Sequence, residues 1–276
     1  MTPQDFDFLA QLLRQRSGLV LTPDKSYLIE SRLAPVARRE GMNSVDDLIA
    51  TIRARRDERM VWSIVDAMTT NETFFFRDKA PFDLLRDVVL PDLTSKRGGG
   101  GKLRVWCAAA STGQEPYSIA MTIDQAPQIH KGAMVEIVGT DISPRVLEKA
   151  KSGLYSQFEV QRGLPIQLLM RYFDKIDESW RLKDSIRSTV QYRTQNLLED
   201  FRGLGKFDVI FCRNVLIYFD GASKTNVLER LAQQLNDDGA LILGAAETVM
   251  GITDAFRAAS GHRGLYLRNP GWRRAA

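Results

Sequence analysis

Two acidic residues, Glu115 and Asp141, lie at positions where nucleotide-binding folds carry ligand-binding side chains. The mostly apolar stretch Leu103–Ala108 is typical of a buried parallel strand, and the small-residue turn Ser111-Thr112-Gly113 leads from it into a helix with Pro116 in its first turn. A second apolar strand ends at Asp141. An acid at that strand end usually accepts hydrogen bonds from ribose hydroxyls, and the helix N-terminus offers unpaired N–H groups. The pattern therefore predicts a site for an adenosine-containing cofactor.

The turn around Gly113 distinguishes between cofactors of this kind. It contains neither the G-x-G-x-x-G fingerprint of dinucleotide sites nor the G-x-x-x-x-G-K-[ST] sequence of a P-loop. An acid inside the turn, Glu115, does not favour a pyrophosphate group but suits a positively charged ligand. S-adenosylmethionine carries a sulfonium and an ammonium group and fits this pattern. The alternative is a turn with only a structural role in an ordinary α/β domain.

A third predicted strand, Phe207–Cys212, is a continuous apolar run of the kind found at the centre of a parallel sheet. Arg213 and Asn214 follow it directly. Because ligands of open α/β sheets bind at the carboxyl ends of the strands, these two side chains are candidates for the same site.

The composition is that of an ordinary globular protein. The 276-residue chain is 44% apolar and 26% charged, and its length suggests about two domains. A net charge of +4 permits an acidic partner or nucleic acid without requiring either. No run approaches the roughly 18–20 apolar residues of a membrane span, and the start MTPQDFDF lacks the apolar core of a signal peptide. We therefore expect a cytoplasmic protein without membrane insertion.

The cysteines and histidines give little support for a disulfide or a metal site. Cys107 and Cys212 both lie inside predicted strands, which indicates small buried hydrophobes in a reducing compartment. His130 and His262 are isolated from any cluster of cysteines or acids, so no metal is expected.

Periodicity predicts the domain organisation. Residues 1–75 form a helical domain, and 76–101 form a linker helix with a glycine-rich loop. Residues 102–276 alternate strands and helices, which indicates an α/β, Rossmann-like domain with a mostly parallel sheet. The alternation of strands and helices is interrupted at about 153–195. There, residues that alternate between apolar and polar predict a small inserted antiparallel β subdomain that includes Val190–Arg193. Gly264–Leu267 is predicted to be the terminal edge strand.

Two further stretches have unusual composition. The second predicted helix, from about Lys25 to Arg39, carries Arg32, Arg38 and Arg39 on its polar face; they are either simply solvated or form a docking surface for an acidic partner. The segment Thr69–Asp78, TTNETFFFRD, fits neither helix nor strand periodicity, which indicates an ordered loop or domain junction held by buried aromatic rings. The alternative for this segment is an interdomain hinge.

Together, these stretches resemble the CheR family of chemotaxis receptor methyltransferases. The resemblance lies in five motifs, in order along essentially the whole chain: TTNETFFFRD (69–78), AASTGQEPYS (109–118), GTDIS (139–143), QNLL (195–198) and FDVIFCRNVLIYF (207–219). It implies a class I S-adenosylmethionine-dependent methyltransferase fold with an N-terminal all-helical domain. It also implies methyl transfer from S-adenosylmethionine to glutamate side chains on the cytoplasmic helices of chemoreceptors. The products are γ-glutamyl methyl esters and S-adenosylhomocysteine, made for chemotactic adaptation.

The resemblance also implies roles for individual residues. It places Asn71, Thr73 and Arg77 over the methionine part of the cofactor, Glu115 on its amino group and Asp141 on its ribose. It places Asn196 and Leu197 beside the adenine and Arg213 and Asn214 along the pocket. The residues expected nearest the reacting carboxylate are Arg77 and Tyr218.

The partner surface follows from the same resemblance. In the family, the N-terminal helical domain faces the receptor's methylation helices, so Arg32, Arg38 and Arg39 are expected to steer docking. Some members bind a pentapeptide at the receptor's C-terminus through a glycine-containing loop of the β subdomain. The corresponding segment here, Asp174–Trp180, is short and has no glycine. We therefore expect a protein that acts without this tether. Nothing in the sequence suggests an obligate oligomer, so a monomer is expected.

Two other interpretations of the sequence stay open. The positive charge allows a nucleic-acid methyltransferase, although the chain has no Asn/Asp-Pro-Pro-aromatic motif and neither cysteine has the setting of a base-attacking nucleophile. The second interpretation is a regulatory module that binds the cofactor without catalysis. A domain that had lost its catalytic activity would be expected to have lost Arg77, Glu115 or Asp141, but all three are present.

Overall fold

The computed structural model describes residues 1–55, 57–97, 101–127 and 134–273. The glycines at 98–100 and His130, which entered the predictions above, lie outside this part of the chain. The described chain divides into two compact units. One is Met1–Thr70 together with Tyr218–Ser223, and the other is Asn71–Ile217 together with the chain from Lys224 onward.

The first unit is helical, as predicted. Its helices are α1 (Pro3–Ser17), α2 (Tyr27–Arg39), α3 (Val45–Arg55) and α4 (Glu58–Met68), with a 3₁₀ turn at Pro23–Lys25. The side chain of Thr2 caps α1 in a capping box with Asp5, and α1 ends at Gly18, whose φ of 77° needs a residue without a Cβ. Apolar residues at helical spacing make its core, namely Leu9, Leu13, Ile29, Leu33, Leu48, Ile52, Ile64 and Val65.

The segment Tyr218–Ser223 belongs to this helical unit although it lies far along the chain. The backbone N–H of Val20 donates to the carbonyl of Tyr218 at 2.9 Å. The Arg14 guanidinium pairs with the Asp220 carboxylate at 2.7 Å. The ring of Phe219 lies against Gly18, where an added Cβ would come within 3.0 Å of it. The backbone position of Tyr218 is therefore set by the helical unit.

The second unit is built on a seven-stranded sheet. Its strands, in chain order, are β1 (Lys102–Cys107), β2 (Met134–Asp141), β6 (Val190–Thr194), β7 (Phe207–Cys212), β8 (Leu235–Leu243), β9 (Phe256–Ala258) and β10 (Leu265–Arg268). They lie in the order β6-β2-β1-β7-β8-β10-β9. The pairs from β6 to β8 are parallel, and β10 pairs antiparallel with β8 and β9.

Helices surround the sheet. They are α5 (Ala80–Leu84), which continues through a π-helical turn (Leu85–Val89) into α6 (Leu90–Arg97), then α7 (Gln114–Asp124), α8 (Pro144–Ser152) and α12 (Gly221–Gln234). Every residue of β7 is buried, as its continuous apolar run requires for a central strand. Within the described part of the chain, no helix is both long enough and apolar enough to cross a membrane.

A small antiparallel sheet forms the inserted subdomain. It consists of β3 (Leu154–Ser156), β4 (Phe173–Ile176) and β5 (Ser179–Leu182), in the order β3-β5-β4. The short helices α9 (Gln157–Gln161), α10 (Ile166–Tyr172) and α11 (Asp184–Arg187) accompany it. Only Asp177 and Glu178 join β4 to β5, and Asp177 adopts a φ of 49° at this turn.

Two strand predictions were wrong. The sequence pattern places Val190–Arg193 in the antiparallel subdomain, but these residues belong to β6 at the edge of the large sheet, parallel to β2. It makes Gly264–Leu267 the edge strand, but β9 pairs outside the corresponding strand β10. In both cases the sequence pattern identified a strand correctly. The neighbour of a strand, however, depends on where the chain returns to the sheet.

Candidate active site

The strand register brings the predicted site residues to one edge of the sheet. Cys107, the last residue of β1, pairs with Gly139 of β2 and with Phe211 of β7. The carboxyl ends of these three strands are therefore level, and the segments that follow them meet. The chain after β1 lies between its neighbours, because Ala108 N–H donates to the Phe211 carbonyl and Ala110 N–H to the Thr140 carbonyl, both at 2.8 Å.

Gly113 shapes the turn between β1 and α7. Its φ is 94°, in the left-handed region, and it caps the N-terminus of α7. A Cβ at this position would lie 2.8 Å from the Tyr192 hydroxyl and 2.9 Å from the Ala150 Cβ. Only glycine therefore allows both the conformation and the close approach, and the turn keeps the helix N-terminus open on the ligand side.

Asp141 is held by the backbone around it. One carboxylate oxygen accepts from Ser111 N–H at 2.9 Å and the other from Ser143 N–H at 3.0 Å. These two backbone donors fix the orientation of the carboxylate at the end of β2. The residue therefore fits the role that the sequence predicts for it.

Glu115 and Arg213 form a buried ion pair. The guanidinium Nη1 lies 2.7 Å from Oε2 of Glu115, and the two residues are only 8% and 5% exposed. Burial raises the pKa of Glu115, and the attraction of Arg213 opposes this shift. Arg213 therefore lies behind Glu115 rather than on an open wall of the pocket. Its Nε is buried and makes no hydrogen bond within the described residues.

The loop that carries Arg77 is strained and is tied to the same arginine. Phe76, Asp78 and Lys79 all have positive φ, at 51°, 67° and 40°. Nη2 of Arg213 donates to the carbonyl of Arg77 at 2.9 Å and pairs with the Asp78 carboxylate at 2.8 Å. One guanidinium thus connects the acid in the β1 turn with the loop of Arg77.

Aromatic packing holds the preceding residues of this loop. Phe75 is fully buried, and Phe76 N–H donates to the Ser118 hydroxyl at 2.9 Å. The Arg77 guanidinium lies 5.6 Å from the centroid of the Phe74 ring and donates to the Glu72 carbonyl at 2.9 Å. The prediction of an ordered loop held by aromatic rings is therefore confirmed.

The remaining predicted cofactor residues surround the same turn. The Asn71 carbonyl accepts from the Ser111 hydroxyl at 2.8 Å, and Thr73 is half-buried two residues further on. Gln195 N–H donates to the Asp141 carbonyl at 2.9 Å, which places the buried Asn196 and Leu197 directly beyond the end of β2. Asn196 Oδ1 accepts from Leu198 N–H at 3.0 Å, so its side chain is oriented by its own loop.

Comparison with known proteins identifies the family. The model of the CheR methyltransferase all-alpha domain matches residues 4–69, and that of the CheR methyltransferase SAM-binding domain matches residues 71–265. Chemotaxis protein methyltransferase 1 of Pseudomonas aeruginosa is 42% identical over 96% of this chain and 97% of its own. Chemotaxis protein methyltransferase of Vibrio parahaemolyticus is 40% identical over 93% of each chain. The chain belongs to the CheR methyltransferase family. It is a methyltransferase with a SAM-binding domain, and the predicted fold class is confirmed.

The site of this CheR family member fits its cofactor. The acids Glu115 and Asp141, beside the glycine turn, are acceptors of the kind that the hydroxyl and ammonium groups of the cofactor require. Within the described ranges, no group of three or more His, Cys, Asp or Glu side chains could hold a metal ion.

Sequence reasoning missed two acids that shape this site. Asp78 was part of a motif but received no role, and it pairs with Arg213. Glu247 was not predicted to have a role. Its carboxylate accepts hydrogen bonds from backbone N–H groups of the chain after β7. The sequence position of Glu247 could have indicated a role. Glu247 lies shortly after the end of the predicted strand β8, and Asp141 likewise lies at the end of a strand, β2.

The remaining predicted residues lie in the helical unit. Tyr218 belongs to the segment that this unit holds, and its role beside the acceptor stays a prediction. Arg32 donates to the carbonyl of Met68 at 2.6 Å and to the hydroxyl of Thr70 at 3.0 Å, at the end of α4. It therefore stabilises a helix C-terminus, where cations are favourable. Arg38 and Arg39 are exposed.

Proposed function

We propose that this CheR family member transfers a methyl group from S-adenosylmethionine to glutamate side-chain carboxylates of chemoreceptors, giving γ-glutamyl methyl esters and S-adenosylhomocysteine in chemotactic adaptation. The main support is that three elements of the matched SAM-binding domain lie together at one edge of the sheet: the acid-bearing turn after β1, Asp141 at the end of β2 and the loop of Arg77 that Arg213 holds. The cofactor supplies the methyl group on a positively charged sulfur.

The acceptor chemistry needs little from the protein. A glutamate carboxylate, with an ordinary pKa near 4.3, is already ionised at neutral pH and needs no general base. None of the proposed site residues is a histidine. The contribution required is therefore to hold the carboxylate in line with the methyl group in a site that excludes water.

Arg77 is the proposed positioning group for the carboxylate. Its guanidinium is half-buried and can orient an anion with paired N–H donors, while Arg213 fixes its backbone carbonyl. Charge is neutralised in this transition state, so binding the carboxylate too strongly would slow the reaction. Tyr218, in the helical unit, is proposed to share the positioning task.

The proposed cofactor contacts divide by chemistry. Asp141 accepts from the ribose hydroxyls, Glu115 faces the ammonium group, and Asn196 and Leu197 lie beside the adenine. The methionine part is covered by Asn71, Thr73 and Arg77, with Asn214 along the wall and Arg213 behind Glu115. Support comes from the burial of both acids and from the hydrogen bond between the Gln195 N–H and the Asp141 carbonyl.

The proposed partners are the cytoplasmic domains of chemoreceptors. We propose that the protein is located in the cytoplasm and acts there as a monomer. The exposed Arg38 and Arg39 would steer docking to their acidic surface. We propose that no receptor pentapeptide tether is needed, because Asp177-Glu178 leaves no glycine-containing loop between β4 and β5. We propose no nucleic-acid substrate, no metal and no membrane insertion.

The decisive test is methyl transfer from labelled S-adenosylmethionine to purified receptor cytoplasmic fragments, followed by alkaline treatment. A carboxyl methyl ester releases volatile labelled methanol, whereas methylated nitrogen does not. Receptor fragments with the candidate glutamates replaced by alanine serve as the control. Base-stable label, or cofactor binding without label on any receptor, would contradict the proposal.

A further inference from the structure

We propose that Glu247 is a positioning residue of this methyltransferase, whose carboxylate fixes the loop that carries Arg213 and Asn214. Glu247 is only 8% exposed, and both of its oxygens are used. Oε2 accepts from the backbone N–H groups of Asn214 at 2.7 Å and Gly244 at 2.8 Å. Oε1 accepts from those of Val215 at 3.0 Å and Leu216 at 2.8 Å.

These four donors match the acceptor capacity of one carboxylate. Three of them are consecutive residues after β7, so their N–H groups converge on one anion as in a backbone nest. With all acceptor positions occupied, Glu247 has none left for a substrate proton. It therefore acts through the loop rather than on the reacting atoms.

The loop needs this support because its conformation is unusual. Asn214 has a φ of 57°, which a residue with a side chain seldom adopts unless its surroundings hold it. Arg213 precedes it and must turn back toward Glu115 and Asp78 to make both of its ion pairs. A loop released from Glu247 would let Asn214 relax and would change the direction of Arg213.

The end of β8 is shaped to bring this carboxylate into place. Glu247 N–H donates to the Gly244 carbonyl at 3.0 Å, which closes a tight turn. A Cβ on Gly244 would lie 2.6 Å from Oε2 of Glu247 and 3.1 Å from the backbone N of Asn214. Glycine is therefore required for the carboxylate to approach the loop.

The variant that tests the proposal is Glu247→Gln, which keeps the size of the side chain. An amide NH₂ cannot accept a hydrogen bond, and each oxygen of Glu247 serves two backbone donors. Whichever end becomes NH₂, two donors lose their acceptor. Glu247→Asp keeps the charge but is shorter by one methylene, so its effect should be intermediate.

Asp208 provides a matched control. It is 2% exposed and lies in β7, at the opposite end of the strand that leads to Arg213. Its oxygens accept from Arg104 N–H and from the Asn236 amide, both at 2.6 Å. Asp208→Asn therefore removes a comparable buried acceptor without touching the loop.

The measurements are the Kd for S-adenosylhomocysteine by calorimetry and hydrogen exchange of the segment 213–217, both on the full chain. We expect Glu247→Gln to raise the Kd about tenfold or more and to speed exchange in that segment, with Asp208→Asn within about twofold of the parent protein. Equal effects of the two variants, or a Kd for Glu247→Gln within about twofold of the parent, would overturn the proposal.

Two features keep this test decisive. If Glu247→Gln does not fold, the same comparison is made with Glu247→Asp, for which a Kd and an exchange rate unchanged from the parent would overturn the proposal. The inference rests on the cofactor site of the proposed function but not on its acceptor. Because binding is measured without any receptor, failure to methylate a receptor would leave this result unaffected.

Discussion

The two acids predicted to bind the cofactor are held in different ways. Asp141 is oriented by N–H groups of Ser111 and Ser143, the second only two residues away. Glu115 instead depends on Arg213, which lies 98 positions along the chain and also holds Asp78. A carboxylate fixed by backbone donors needs no ionic partner, whereas a buried ionic pair loses its compensation when one member is removed. Asp141 is therefore held by backbone donors at the ends of two neighbouring strands, whereas Glu115 and the loop of Arg77 both depend on one distant guanidinium.

Removing Arg213 should give the largest effect in this comparison. Arg213→Met leaves Glu115 buried without its cation, and breaking such a pair costs about 3–5 kcal/mol in the free energy of unfolding. Asp141→Asn should cost less, about 1–3 kcal/mol, because an amide of the same size keeps one oxygen acceptor for the surrounding donors. Urea unfolding of both variants checks this order.

A double variant sharpens this prediction. Glu115→Gln combined with Arg213→Met should lose less stability than the sum of the two single variants, since the uncompensated charge is gone. Simple additivity would mean that the two side chains do not interact energetically, despite a separation of 2.7 Å.

Arg77→Ala should abolish most turnover while leaving the protein folded. Because Arg77 is proposed to orient the acceptor, we expect kcat to fall about 100-fold or more in the receptor methylation assay. The matched control is Arg162→Ala, since Arg162 stacks on the same Phe74 ring at 4.5 Å and pairs with Glu72 but has no proposed role at the acceptor. Near-normal turnover of Arg77→Ala with intact cofactor binding would remove Arg77 from the site.

The raised pKa of Glu115 predicts a pH dependence of cofactor binding. A raised pKa means that Glu115 takes up its proton at a higher pH than an ordinary glutamate, and the protonated form no longer attracts an ammonium group. The affinity for S-adenosylhomocysteine should therefore fall as the pH is lowered, and the fall should begin at a higher pH than an ordinary glutamate with a pKa near 4.3 would give.

Calorimetry at several pH values measures this effect. Glu115→Gln should bind more weakly at neutral pH and show a much flatter profile. A profile unchanged by that substitution would show that another group is responsible for the pH dependence.

The smallest expected effect concerns docking. Arg38→Ala with Arg39→Ala should raise the KM for receptor fragments a few-fold, and added salt should raise the KM of the parent protein because exposed charges are screened. Arg53→Ala serves as control, since Arg53 is an exposed cation of α3 that pairs with Asp5 at 2.7 Å. A KM that does not respond to salt would argue against electrostatic steering.

The local features of this protein can be predicted from short stretches of its sequence. Helical spacing and a capping residue define α1, the apolar run defines β7, and an acid at a strand end identifies Asp141. Each of these is recognised from the periodicity of neighbouring residues, from a capping residue or from the place of a residue at the end of a strand. The motifs were likewise sufficient to indicate the family.

Which distant groups share a partner could not be predicted from the sequence, because it depends on how the chain folds. The alternation of Val190–Thr194 predicts a strand but cannot say that it pairs in parallel with β2. The basic pattern of α2 cannot separate Arg32, which caps α4, from the exposed Arg38. The same holds for the Arg213 pairs and for the four donors on Glu247, since bonds between groups far apart in the chain form only when the folded strands bring their ends together.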